Sequence, residues 1–155
     1  MTDVYPEINF VKIDNPEMGD DIAEQTARLI LLGTYDTPEP TEQELRETLD
    51  LELGGKFALA AINSGGDVVG TGGLLLVEEE PDKSALILNL VVAPKERGRG
   101  LGIKIISMLE EEASRLNATE TFGQPHPDYV GFYEKLGYRT GKKPHLKGDI
   151  VFKPI

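Results

Sequence analysis

The run Leu90-Val91-Val92-Ala93-Pro94-Lys95-Glu96-Arg97-Gly98-Arg99-Gly100-Leu101-Gly102 constrains the fold more than any other stretch of this chain. An apolar strand breaks at a proline, passes through a glycine-rich turn and opens a helix. Glycines at alternate positions let the backbone take positive φ and come close to a ligand, and the unpaired N–H groups of a helix's first turn point into the same space. Such a junction favours an anion, and Lys95, Arg97, Arg99 and Lys104 against the single Glu96 reinforce the sign. A glycine-rich turn with surface arginines is the plainer reading of the same residues.

The two better-known phosphate loops do not fit. The glycines run G-x-G-x-G rather than G-x-G-x-x-G, and Gly102 is followed by Ile103-Lys104 rather than Lys and then Ser or Thr. The chain of 155 residues suits one domain, residues 1–155, with a core large enough to stand without disulfides. It has no cysteine, which excludes a disulfide framework, a thiolate nucleophile and cysteine-ligated metal. Two isolated histidines, His126 and His145, lack ligand spacing, so no metal is expected. The start of the chain has neither a basic segment nor an apolar run, and no stretch approaches membrane-spanning length. A soluble, cytoplasmic protein is expected, with no membrane partner; a homodimer is left open.

Charge is uneven. Residues 1–56 hold fourteen acidic and four basic side chains, a net of −10, whereas the remainder is near neutrality. Clustered basic residues are what nucleic acid requires, so no nucleic-acid partner is expected. The acids are either solvated helix faces or a lip that attracts a cationic substrate, with Asp36, Glu39, Glu42 and Glu44 the candidates.

In chain order, Ile8–Ile13 alternates as a first strand, and Asn15-Pro16 turns into a helix carrying Met18, Ile22, Thr26, Leu29 and Ile30 as far as Tyr35. Thr41-Glu42-Gln43-Glu44 is a capping-box signature for a second helix ending near Gly54-Gly55. Phe57–Ile62, the turn Asn63–Asp67 and Val68–Val77 read as strand, turn, strand, with Gly70, Gly72 and Gly73 suggesting a bulge or a backbone packed close. Glu78–Lys83 reads as the next turn, and Ala85–Val92 as a central strand covered on both faces, interrupted by Asn89. Asn89 is either a satisfied structural link or a polar group facing a ligand channel. The helix from Leu101 should bury Ile105, Met108, Leu109, Ala113 and Leu116 and pair Glu111 with Arg115. A short strand at Ala118–Gly123 completes a parallel βαβ crossover, and ligands collect at the carboxyl ends of such strands. Further on, Asp128 is suited to cap a short helix with Phe132 and Leu136 as its apolar pair and Gly137 as its stop; Tyr138–Gly141 and Asp149–Ile155 supply the last strands.

Two stretches together resemble a known family. Arg97-Gly98-Arg99-Gly100-Leu101-Gly102 after a V-x-P strand end resembles the acyl-CoA pyrophosphate loop of the GNAT N-acetyltransferase superfamily, and Phe132-Tyr133-Glu134-Lys135-Leu136-Gly137-Tyr138 resembles its F-Y-x-K-L-G-F/Y stretch, in the same order. The resemblance covers the chain, though residues 1–56 match only in their pattern of elements. It implies a mixed α/β (α+β) acyl-CoA N-acyltransferase fold, a central mixed sheet of about six or seven strands with about four helices. It implies acetyl transfer from acetyl-CoA, a cosubstrate, to a primary amine by direct attack, with no metal. Main-chain N–H groups from Arg97, Gly98, Arg99, Gly100, Leu101 and Gly102 would hold the pyrophosphate, Leu90, Val91 and Val92 would pair with the pantetheine arm, and an N–H near Val92 would steady the oxyanion. Phe132 and Tyr133 would line the CoA site, with Tyr133 beside the sulfur as proton donor, uphill by about 2 kcal/mol from a phenol of ordinary pKa to a thiolate.

The chain departs from the family in two places. His126 stands where many members have an asparagine that holds the pantetheine or the start of the helix; it could take over that contact, carry a proton, or be an exposed loop residue. Many members place a glutamate on the strand before V-x-P, where this chain reads Ala85-Leu86-Ile87-Leu88-Asn89. An alkyl ammonium is only about 0.04 per cent neutral at pH 7, so a base is needed, and Glu78, Glu79, Glu80, His145 or a water chain are the candidates. A small cationic amine is the expected acceptor. A non-catalytic acyl-CoA sensor, or a transferase acting on protein lysines or N-termini, are the alternatives.

Overall fold

The computed structural model describes residues 7–14, 16–79, 82–144 and 146–155, with the side chains of Glu79 and Asp82 excepted. Seven strands, β1 (Asn9–Lys12), β2 (Phe57–Ile62), β3 (Val68–Glu79), β4 (Asp82–Val92), β5 (Glu120–Gly123), β6 (Arg139–Gly141) and β7 (Ile150–Pro154), form one mixed sheet in the order β1-β2-β3-β4-β5-β7-β6. Among the described residues four α-helices accompany them: α1 (Asp21–Tyr35), α2 (Glu42–Thr48), α3 (Leu101–Arg115) and α4 (Val130–Lys135). The chain divides into two compact units, residues 1–73 with 89–107 and residues 74–88 with 108–155. Strands β3 and β4 and helix α3 contribute to both.

In the first unit, α1 begins where Asp20 accepts from the Ala23 N–H at 3.1 Å, with Asp21 and Glu24 placed against the positive end of the helix dipole. Ala23, Thr26, Ala27, Leu29, Ile30 and Leu31 are its buried face, and it ends as Asp36 turns left-handed at φ 51. The capping box forms: Thr41 Oγ1 accepts from the Glu44 N–H at 3.1 Å, and Glu44 Oε1 from the Thr41 N–H at 2.9 Å. Helix α2 does not simply stop near Gly54 but widens into a π-helical turn, Leu49–Leu53. Leu45, Leu49 and Leu53 join α1, Ala58, Ala60, Val68 and Val91 in one apolar cluster. Strands β1 and β2 pair antiparallel from Asn9↔Ile62 to Lys12↔Leu59. The β2–β3 turn closes on Asn63, whose Oδ1 accepts from the Gly65 and Asp67 N–H groups, and Gln25 of α1 ties to it by accepting from the Val68 N–H at 2.9 Å.

In the second unit, β4 and β5 run parallel with Ser84↔Glu120 and Leu86↔Phe122, as a βαβ crossover requires, while β5–β7 and β6–β7 are antiparallel. Tyr138 anchors it: its hydroxyl lies 2.8 Å from Thr121 Oγ1 and donates to Glu110 Oε2 at 2.8 Å, and Lys153 Nζ reaches the same carboxylate at 3.3 Å.

Several sequence expectations need correction. Strands β3 and β4 extend through Glu78 and Lys83, so the turn between them is much shorter than Glu78–Lys83. Strand β4 is not covered on both faces: Ala85, Ile87 and Val91 are buried, while Leu86, Leu88, Leu90 and Val92 are only half-buried. Gly70 accommodates side chains rather than a backbone, since a Cβ there would stand 3.0 Å from Ile105 Cδ1 and 3.2 Å from Leu101 Cδ2. On α3, Leu116 lies past the helix end and is exposed, Met108 is half-buried and Ile106 is buried instead. Arg115 pairs with Glu112, not Glu111, one residue closer on the same face.

Candidate functional site

In the first unit, β4 delivers Leu90, Val91 and Val92 to a tight junction. The Ala93 N–H donates to Val69 O at 2.8 Å, fixing the strand end, and Pro94–Glu96 makes one 3-10 turn. Gly98 at φ 80 and Gly100 at φ 90 then take the left-handed backbone that glycine alone adopts without strain, and a Cβ on either would meet nothing within 4 Å. Helix α3 starts at Leu101, which is buried, with Lys104 N–H donating to Gly100 O at 3.1 Å. Helix geometry leaves the N–H groups of Leu101, Gly102 and Ile103 without intrahelical acceptors. The room at Gly70 is what lets Leu101 and Ile105 seat this helix start on β3.

The structure thus brings Leu90, Val91, Val92 and Arg97–Gly102 together on consecutive turns of one unit. The arginines are less available to an anion than their number suggests. Arg97 Nε donates to Val92 O at 3.0 Å, and Arg99 pairs with Glu96 at 3.1 Å and Glu7 at 3.7 Å. Lys95 and Lys104 are exposed. The positive character of the junction therefore rests on main-chain N–H groups and the dipole of α3 more than on guanidinium charge.

The same unit contains a group that sequence reasoning missed. Glu52, on the π-helical turn, accepts from the Tyr35 hydroxyl through Oε1 and from Asn89 Nδ2 through Oε2 at 3.0 Å. The bond to Glu52, then partial burial, pushes the Tyr35 phenol up to about 12. Asn89 is left-handed at φ 51 in the middle of β4, which breaks the pleat one residue before Leu90. Of the two roles open to Asn89, the link is made. No local signal marked Glu52 among the acids of α2, because its partners lie 17 and 37 residues away in sequence.

The second unit holds His126, Phe132 and Tyr133. His126, not Asp128, caps the 3-10 turn Pro127–Tyr129: its Nδ1 accepts from the Asp128 N–H at 3.2 Å and lies 3.4 Å from the Asp128 carboxylate. Pro127 fixes the first position of the turn and leaves the preceding residue extended, which is the capping geometry. Tyr133 is 6% exposed and packs edge-on against Phe132 and Tyr138, with ring centroids 5.4 and 5.3 Å apart. Desolvation pushes its phenol up to about 12. Proton donation from it to a thiolate of ordinary thiol pKa is therefore uphill by about 5 kcal/mol rather than about 2.

Of the candidate bases, Glu78 is exposed and lies 3.9 Å from Lys83, whereas the Glu79 side chain, Glu80 and His145 lie outside the described residues, as does the Asn15 turn. Of the acidic-lip candidates, Glu42 pairs with Arg46 at 2.7 Å and Glu44 is used by the capping box, leaving Asp36 and Glu39 exposed. Among the described residues no three His, Asp or Glu side chains group as metal ligands, and no helix is long and apolar enough to cross a membrane.

Comparison with known proteins adds the following. Residues 23–138 match the acetyltransferase (GNAT) family. Over 83 residues the chain is 36% identical to glucosamine 6-phosphate N-acetyltransferase of Candida albicans, covering 51% of this chain and 55% of that protein, so it spans about half the length of the curated relative. Among solved structures, an acetyltransferase from Streptococcus agalactiae superposes with a TM-score of 0.73 at 17% identity, covering 97% of this chain and 100% of that one. Glucosamine-6-phosphate N-acetyltransferase from Arabidopsis thaliana gives 0.66 at 19% identity, covering 91% and 97%. These structures share the fold.

Proposed function

The chain belongs to the GNAT acetyltransferase family, and from that premise we propose that residues 1–155 act as a single cytoplasmic domain transferring the acetyl group of acetyl-CoA to the primary amine of a small cationic molecule. The observation that carries this reading is the turn with left-handed Gly98 and Gly100 opening α3, where a Cβ would meet nothing within 4 Å and the first main-chain N–H groups have no intrahelical acceptors. Such a cradle fits a pyrophosphate. Acetyl-CoA, when bound, supplies an acyl carbonyl already activated as a thioester.

What the chain contributes is positioning and proton handling. Arg97–Gly102 offers N–H groups to the anionic end, and the half-buried face of Leu90 and Val92 offers an apolar, strand-like edge to an extended arm. The Val92 carbonyl already accepts from Arg97, so pairing along that edge relies on the remaining main-chain groups. Tyr133 keeps its proton on Oη throughout the neutral range, which suits a hydrogen-bond donor to a developing anion. The excess of acid in residues 1–56 favours an ammonium over an anionic acceptor.

A non-catalytic acyl-CoA-binding role is the second reading, favoured by Ala85 and Ile87 standing buried on β4 in place of a carboxylate base. Thiol release from acetyl-CoA, followed with a disulfide reagent across polyamines, arylalkylamines and glucosamine 6-phosphate, separates the two. The transferase reading expects release with a cationic amine in preference to the phosphorylated sugar. Tight acetyl-CoA binding with no release from any amine would select the binder.

A further inference from the structure

The unit that carries the glycine turn also holds a half-buried carboxylate with no counter-charge. Glu52 accepts two neutral hydrogen bonds, from Tyr35 and Asn89, and among the described residues no Lys or Arg pairs with it. A carboxylate offers about four acceptor positions, so about half remain for another donor. Withdrawing such a charge from water without a cation is costly, and a ligand ammonium would supply the missing partner.

The backbone has been bent in two places to make this arrangement. The π-helical turn Leu49–Leu53 adds a residue per hydrogen-bonded ring and rotates Glu52 away from where a continuing α2 would aim it. Asn89 occupies left-handed space inside a strand, a conformation uncommon for any residue but glycine. A link needed only for stability would be expected in the core, yet Tyr35 is 52% exposed and neighbouring Leu51 68%. Leu32, one turn before Tyr35 on α1, is exposed as well. Leu32 and Tyr35 thus give α1 an exposed apolar and aromatic face at the residue that donates to Glu52.

We propose that Glu52 binds the ammonium group of the acceptor, held in place by Tyr35 and Asn89, and that the acceptor is a primary amine on an apolar or aromatic body rather than a phosphorylated amino sugar. This rests on the transferase reading above. Asn89 directly precedes Leu90, so the carboxylate is anchored to the strand segment assigned to the acyl donor. Tyr35 and Asn89 are positioning residues.

The test uses 2-phenylethylamine as the probe at saturating acetyl-CoA. For Glu52→Gln the expected result is a KM for the amine raised at least about tenfold, with kcat changed less than about threefold and the acetyl-CoA Kd unchanged. Tyr35→Phe and Asn89→Gly, the latter keeping the left-handed backbone, should each raise KM several-fold. An unchanged KM in Glu52→Gln overturns the proposal, and if that variant fails to fold, unchanged KM in both positioning variants does so. A lowered Tm with unchanged KM means the network is structural only, which also overturns it. Wild-type protein that turns over no amine refutes the transferase reading instead, and calorimetric titration of the amine into wild type and Glu52→Gln then decides the role of Glu52: equal affinity, or no binding to either, overturns it.

Discussion

Tyr133→Phe should make the protein's stability less sensitive to alkali. The folded state holds this phenol at about 12 because burial penalises the phenolate, whereas in the unfolded chain it titrates near the ordinary tyrosine value of 10.0. A folded pKa above the unfolded one gives stability that is complete below pH 10 and lost as pH rises through about 12, because the native state holds a proton that the unfolded state releases. The difference amounts to about 3 kcal/mol in total. At pH 11 about half of it has been lost, and at pH 8 almost none. Urea unfolding of wild type and Tyr133→Phe at both pH values reads mainly this residue, since Tyr138, whose phenol Tyr133 also pushes up, is raised chiefly by its own burial. The gap between their unfolding free energies should shift by about 1 kcal/mol in favour of the variant between pH 8 and pH 11. Curves that fall in parallel would show that the phenol is not desolvated, and the reading of Tyr133 as a proton-retaining donor would go with it.

Glu110→Gln should cost about 1–3 kcal/mol in chemical denaturation, because Lys153 loses its charged partner, and it should lower the Tyr138 pKa, which Glu110 raises by hydrogen bond and charge. Thr41→Ala removes the cap of α2 and should cost about 1 kcal/mol, with Thr41→Ser recovering most of it. Gly33→Ala places a methyl against Val91 Cγ1; overpacking of about 1–3 kcal/mol should outweigh the gain of about 1 kcal/mol in helix propensity, and pairing it with Val91→Ala should restore thermal stability relative to Val91→Ala alone.

How much of this was legible in the chain follows from the range of the forces involved. The capping box at Thr41, the helix stop at Gly137, and the strand-turn-helix at Leu90–Gly102 are set by residues within a few positions of one another, and each appears where the sequence places it. Of the roles open to His126 the start of the helical turn is the one it takes, because the flanking prolines, not the acid at Asp128, decide which residue stays extended. Arg97 and Arg99 read as ligand-facing because their own acceptors, Val92 O and Glu96, can be seen only once the turn is folded. The Glu52 network lay beyond local reading altogether. A π-helical turn carries no composition that distinguishes it from a continuing α-helix, and the hydrogen bonds that identify Glu52 cross from one element to another.

Binding of acetyl-CoA at the glycine turn is the claim on which the functional account depends, and isothermal titration of acetyl-CoA into wild type, Gly100→Ala and Gly100→Glu measures it most directly. Both substitutions impose the same strain at φ 90, and neither Cβ meets another atom within 4 Å, so the difference between them reports what glutamate adds beyond Cβ, a methylene and its carboxylate. Wild-type binding in the micromolar range, weakened in the alanine variant and abolished in the glutamate variant, is the predicted result. Acetyl-CoA affinity that is the same in the alanine and glutamate variants, or absent in the wild type, would contradict it.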